Sequence, residues 1–242
     1  MTTDFAALER RFTELLGLDR APIAISLLGA APTGVRRFMG QVPSGCSFWS
    51  MAASAPAGKS AFYTVPSDHF NCPVGSYTHQ IDLPADRAAE LGDVLGLMTQ
   101  IGYLKMEEVP GIPRWETPPA AVVYARLGEA PLPPDVVMFA LTASAAMRLN
   151  EAAAFAGVSS GLAALGRPTC MAIPAAVARG ATMSLGCIGN RIYTDLADGH
   201  AYVAVRGRDI AAVADQLGGI VSANQKLVEY HGERKARLTV PA

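Results

Sequence analysis

The chain has 242 residues and a net charge of −1, with 50% hydrophobic and only 17% charged residues. That length supports one large or two small domains with a substantial core, and the scattered Lys and Arg exclude the basic footprint of a nucleic-acid binder. The uncharged run Ala152 to Gly166 is too short and too rich in Gly and Ser to span a bilayer. Met1 to Arg20, with Asp4, Glu9 and several arginines, has no apolar segment of the signal-peptide kind. The reading is a soluble, cytoplasmic protein with no membrane or nucleic-acid partner, whose low charge content suits a homo-oligomer.

In chain order, Phe5, Leu8, Phe12, Leu15 and Leu16 have the spacing of one helix face over Asp4 to Leu18. Pro22 to Leu28 predicts a short buried strand, followed by a Gly/Pro-rich loop over Gly29 to Ser44. A helix is predicted from Gly45 to Ala55, with Cys46 in its first turn. Ser60 to Val65 reads as a strand, and Pro66 to Asn71 as a turn leading to Cys72. Pro84 to Gly102 predicts a helix with Leu91, Val94, Leu95 and Met98 on one face. Lys105 to Pro119 reads as loop, and Ala120 to Ala125 and Asp135 to Leu141 as strands. Ser144 caps a predicted helix running to Phe155, and Gly157 to Pro168 reads as a small-residue linker. Thr169 caps a predicted helix over Cys170 to Ala178. Thr182 to Leu185 and Tyr202 to Val205 read as strands, Arg208 to His231 as a long helix, and residues 232–242 as a frayed tail.

Alternating strands and helices define an α/β class. A weak internal echo runs through the pattern. Cys46, a helix, a strand and Cys72 with Gly75 are matched by Cys170, a helix, a strand and Cys187 with Gly189. The expectation is a single domain over residues 1–242 built from two weakly related halves with short strands, about 22–103 and 135–225. These halves would pack around a shared four-cysteine site.

The four thiols, Cys46, Cys72, Cys170 and Cys187, carry the chemistry. No C-x-x-C pair occurs, which disfavours structural zinc. Iron–sulfur clusters accept single thiolates from distant segments. Cys46 and Cys170 fall at predicted helix starts, where free N–H groups favour thiolates. Cys72 and Cys187 neighbour glycines that bare their N–H groups. Against this stands the reading that all four are buried apolar thiols. Arg191, four residues after Cys187, offers a guanidinium that offsets thiolate charge or holds an anionic ligand, or forms a salt bridge to Asp195 or Asp198.

Cys46 before an Ala-rich helix, Cys72-Pro73 with Gly75, Pro134-Asp135-Val136-Val137, Cys170 and Leu185-Gly186-Cys187-Ile188-Gly189-Asn190-Arg191 resemble the family catalogued as domain of unknown function 169. The likeness covers nearly the whole chain, and all four cysteine positions match. Some relatives carry a further cysteine where this chain has Asn190. The resemblance implies no substrate or activity.

Two short motifs fail their own context. Ala53 to Ser60 fits a relaxed phosphate-loop pattern, but the order is helix, loop, strand rather than strand, loop, helix. Gly157-Val158-Ser159-Ser160-Gly161 fits a nucleophile elbow, yet a helix precedes it. His69 and His79 flank Cys72 and are weaker ligand candidates. Glu107 and Glu108 form no acid–base pair, and Phe48, Trp49 and Met51 read as core. The leading expectation is a cysteine-held iron–sulfur cluster, of the [4Fe–4S] type, serving electron transfer, redox sensing or structure, with a redox partner or a small anionic ligand. The alternatives are a metal-free small-molecule binding or sensing protein, and an enzyme using Cys187 as a reactive thiol.

Overall fold

The strand Val136–Thr142 shows how the sequence divides the molecule into layers. Val137, Phe139 and Leu141 point into one hydrophobic cluster, and Val136 and Met138 into another, as the two-residue period of a strand requires. A computed structural model describes residues 3–69, 72–83, 85–165 and 167–238. Asn71, Pro84, Gly166, residues 239–242 and the side chain of Leu91, all part of the predicted elements, lie outside that description.

Seven strands form one mixed sheet. They are β1 (Ile23–Leu28), β2 (Phe62–Thr64), β3 (Ala121–Arg126), β4 (Val136–Thr142), β5 (Ala163–Leu165), β6 (Ala181–Ser184) and β7 (His200–Arg206). Their order across the sheet is β2-β3-β1-β4-β7-β6-β5. Pairing is antiparallel except for β5 with β6. At the central seam β1 pairs β4 only from Ile23 to Ile25. Beyond it the Asp135 carboxylate accepts the Leu27 N–H at 2.8 Å and so continues the bonding where the ladder stops. On either side of this seam the antiparallel pairs follow the same order, β1–β3–β2 and β4–β7–β6.

Helices cover both faces. On one, α1 (Phe5–Leu16), α5 (Ala143–Phe155) and α8 (Ile210–Leu238) pack Phe12, Leu149, Val213 and Leu217 against Phe139 and Val203. On the other, α2 (Ser47–Ser54) and α6 (Ala172–Arg179) pack Phe48, Trp49 and Ile173 against Tyr124, Met138 and Tyr202. Among the described residues there are three further α-helices, α3 (Pro73–Thr78), α4 (Ala85–Gln100) and α7 (Ile188–Thr194).

The α/β expectation holds, and several local readings need correction. α7 was not foreseen because Gly189, Asn190, Tyr193 and Thr194 are weak helix formers. The linker over 157–168 contains β5, whose small residues read as loop but pair along β6. Thr142 rather than Ser144 caps α5, its side chain accepting the Ala145 N–H at 3.3 Å. Cys170 belongs to a 3-10 turn (Thr169–Met171) that precedes α6, and Thr169 does not cap the helix. α8 continues through Leu238 instead of fraying from Gly232, since Glu233 to Leu238 are good helix formers with Lys235 and Arg237 in the last turn. The two long helices differ in place: α4 lies between β2 and β3, whereas α8 follows β7.

Candidate functional site

Each cysteine arrives on its own element. Cys46 is the N-cap of α2, and the Ser44 hydroxyl lies 3.2 Å from its sulfur. Cys72 caps α3, its sulfur accepting the Gly75 N–H at 3.3 Å. A Cβ on Gly75 would come within 3.3 Å of that sulfur, so glycine there keeps the approach open. Cys170, buried, is central in the 3-10 turn before α6. Cys187 caps α7 and donates its own N–H to Thr169 Oγ1 at 2.5 Å, which ties it to the Cys170 turn.

All four cysteines line one cavity of about 390 Å³. Among the described residues, however, no three of His, Cys, Asp or Glu gather as they would around one metal ion. This corrects the expectation of a shared four-cysteine site: the thiols are not clustered, and four separate elements place them around the cavity wall. They still feel one another electrostatically. Burial pushes the Cys46 thiol up to about 11, with Ser44 and Asn190 acting against it and Cys72 and Cys187 adding to it. Burial also raises Cys72, and it raises Cys170 strongly, with Cys72, Cys187 and Cys46 contributing to the latter. Without a metal these three thiols are neutral at pH 7.

The rest of the lining divides by chemistry. His69 and His79 are both buried and neutral, burial lowering His69 to about 3 and His79 to about 4. His69 Nε2 pairs with Thr64 Oγ1 at 2.8 Å, a structural bond. Val94, Leu97, Met98 and Ile101, from α4 and its end, form an apolar wall. Arg167 lines the cavity with its guanidinium over the Tyr103 ring, 4.6 Å from the centroid.

Arg191 stands beside the motif of Cys187, with its guanidinium turned to backbone carbonyls. It is not part of the cavity lining. Its guanidinium donates to the carbonyls of Leu185 at 2.5 Å, His200 at 3.0 Å and Ala197 at 3.2 Å. The side chain packs across Gly186, where φ is +84° and a Cβ would lie 3.2 Å from Arg191 Cγ. Glycine and arginine in this motif thus shape the loop that presents Cys187. Sequence reasoning missed Ser44, Thr169 and Tyr103, which carry no motif. It treated Trp49 as core alone, although Trp49 is both core and cavity wall. Asn190 was noted only as a departure from a family pattern, yet it is 2% exposed and lines the cavity.

The two rejected motifs have local structural explanations. The N–H groups of Gly58 and Ser60 and the Ser60 hydroxyl bind the Glu129 carboxylate at 2.8, 3.0 and 2.7 Å. Ser159 closes its own turn, donating to the Gly161 carbonyl at 2.8 Å. Among the described residues no helix is long and apolar enough to cross a membrane.

Fold and site define an α/β protein with a seven-strand mixed sheet and a cysteine-lined cavity on one face. The chain belongs to the family DUF169, described as Uncharacterised ArCR, which matches residues 11–216. No curated protein and no solved structure matches it.

Proposed function

We propose that this is a cytoplasmic iron–sulfur protein, with Cys46, Cys72, Cys170 and Cys187 as the ligands of a [4Fe–4S] cluster. The observation that carries the reading is the placement of all four thiols on the wall of one cavity. An inorganic cluster is several ångströms across, so its ligands need not converge as they do on a single ion. The donor set is soft and suits iron–sulfur chemistry. The Gly75 N–H and the Ser44 hydroxyl already meet cysteine sulfurs, and such hydrogen bonds tune a cluster's potential. With four thiolates the cluster is coordinatively complete, which favours electron transfer, redox sensing or a structural role.

The same proposal includes two related halves that meet at the β1–β4 seam. The residue after β3 donates to the residue before β1, Leu127 N–H to Pro22 O at 2.8 Å. The residue after β7 donates to the residue before β4, Gly207 N–H to Asp135 O at 2.7 Å. A 3-10 turn follows each, and a cysteine caps the helix after β2 and after β6. Residues 22–129 and 135–209 are then the equivalent segments, which differ from the spans drawn from sequence.

The reactive-thiol alternative is less favoured, because the Arg191 guanidinium that would assist Cys187 donates to three backbone carbonyls. The test is anaerobic purification, with absorption spectra and with iron and sulfide assayed on the same sample. Brown protein with a broad band near the visible–ultraviolet boundary is expected, with iron lost from each Cys→Ser variant, since a hydroxyl is a poor soft-metal ligand. Wild-type protein lacking both elements after reconstitution would leave the metal-free binding protein as the better reading.

A further inference from the structure

Three buried side chains on the cavity wall leave polar atoms without partners. Asn190, Trp49 and His79 are 2%, 1% and 4% exposed and all line the cavity. Asn190 Oδ1, Trp49 Nε1 and His79 Nε2 make no hydrogen bond, and the Asn190 amide otherwise faces the Cys46 thiol. An unmade buried hydrogen bond costs about 1–3 kcal/mol, and native chains leave few of them. Three such residues on one cavity form a polar surface built for something that fills it.

Their chemistry narrows the occupant. The indole N–H only donates. The Asn190 amide has a donor beside an acceptor, and its Oδ1 needs an N–H or O–H that neither a thiolate nor an inorganic sulfide offers. His69 and His79 stay neutral, so neither histidine supplies a positive charge. Arg167 stacks on Tyr103 and lies 4.0 Å from Glu108. Among the described residues an anion therefore finds no buried countercharge on this wall. The apolar wall continues to the surface through Leu97 and Ile101, 56% and 66% exposed, which gives an apolar body a path inward.

We propose that the cavity binds a neutral organic molecule with an amide-like edge, an N–H beside a C=O. That edge pairs with the Asn190 amide, and the apolar body lies against Val94, Leu97, Met98 and Ile101. Trp49 and His79 supply the remaining hydrogen bonds. The inference goes beyond the cluster proposal and does not rest on it, since none of the three polar residues is a thiol.

Two pairs of fluorescent probes test it on the full chain purified without oxygen: the lactams carbostyril and phenanthridinone against the hydrocarbons naphthalene and phenanthrene. Each pair shares a ring skeleton and differs in the amide edge. At least one lactam should bind about tenfold more tightly than its hydrocarbon, because the hydrocarbon leaves the buried amide unpaired. Asn190→Leu, close in size, should abolish that preference while hydrocarbon binding persists. The wild-type comparison stands even if that variant fails to fold. Equal affinity within both pairs, or no binding of either lactam, would overturn the inference. Iron and sulfide are measured on the same samples. A preference without iron counts against the cluster alone, and iron without a preference counts against this inference alone.

Discussion

Thr169 Oγ1 accepts the N–H of Cys187 at 2.5 Å, joining the turn that carries one thiol to the residue that carries another. Thr169 is 1% exposed, so solvent cannot replace its hydroxyl. Thr169→Val should cost about 1–3 kcal/mol, the range for a buried hydrogen bond left unmade. Thr169→Ser, which keeps the hydroxyl, should recover most of it. Urea denaturation of both variants checks this, and a Val variant as stable as wild type would remove the bond from the account.

Arg191 should behave as a brace rather than as a charge near thiols. Arg191→Ala frees the carbonyls of Leu185, Ala197 and His200 and should lower stability by about 1–2 kcal/mol, allowing for its partial exposure. Arg191→Lys keeps the charge but not the fork, and should recover less than half of the loss. Full recovery by lysine would mean that charge alone matters.

The two buried histidines set an acid limit. An unfolded histidine titrates near pH 6.5, whereas His79 and His69 are held at about 4 and about 3 by burial. Between those values only the unfolded chain takes up the proton, so stability falls as pH drops. Each histidine should contribute about 1.4 kcal/mol of loss per pH unit within that window. Urea midpoints between pH 7 and pH 4 should decline, and His79→Gln should flatten the decline. An unchanged slope in that variant would contradict the assignment.

Raised thiol pKa values make a chemical prediction for metal-free protein. Cys46, titrating near 11, and the buried Cys72 and Cys170 should alkylate slowly with iodoacetamide at pH 8, because the thiolate is the nucleophile. Loading a metal deprotonates them, so binding should release protons and strengthen with pH. Mass spectrometry of labelled peptides and loading titrations in weak buffer report the two effects. Rapid labelling of all three in folded protein would contradict their burial.

Glycine is required after β7. A Cβ on Gly207 would overlap the carbonyl oxygen of Pro134, at the point where Gly207 donates to Asp135. Gly207→Ala should therefore destabilise strongly or prevent soluble expression, whereas Gly199→Ala, with open space around it, should not. Comparable melting temperatures for the two would show that the seam yields.

The elements legible in sequence were those whose signal is local. The alternation in residues 136–141 is enough to divide that strand between two cores, and the spacing in residues 5–16 defines a helix face. The four cysteines were recognisable by residue type. Burial, bonding partners and shared space are not local properties. Asn190 looks like any polar residue in a weakly helix-forming stretch, and only the folded chain places it beside Cys46 with its Oδ1 unpaired. Arg191 looks like a charge near a thiol, but the loop from 185 to 200 folds back and offers carbonyls that bind it more closely. The sheet order decides the rest. By pairing β1 with β4 and setting β6 beside β7, it brings thiols from residues 46, 72, 170 and 187 to one cavity, a placement that depends on long-range backbone pairing and on no short stretch of sequence.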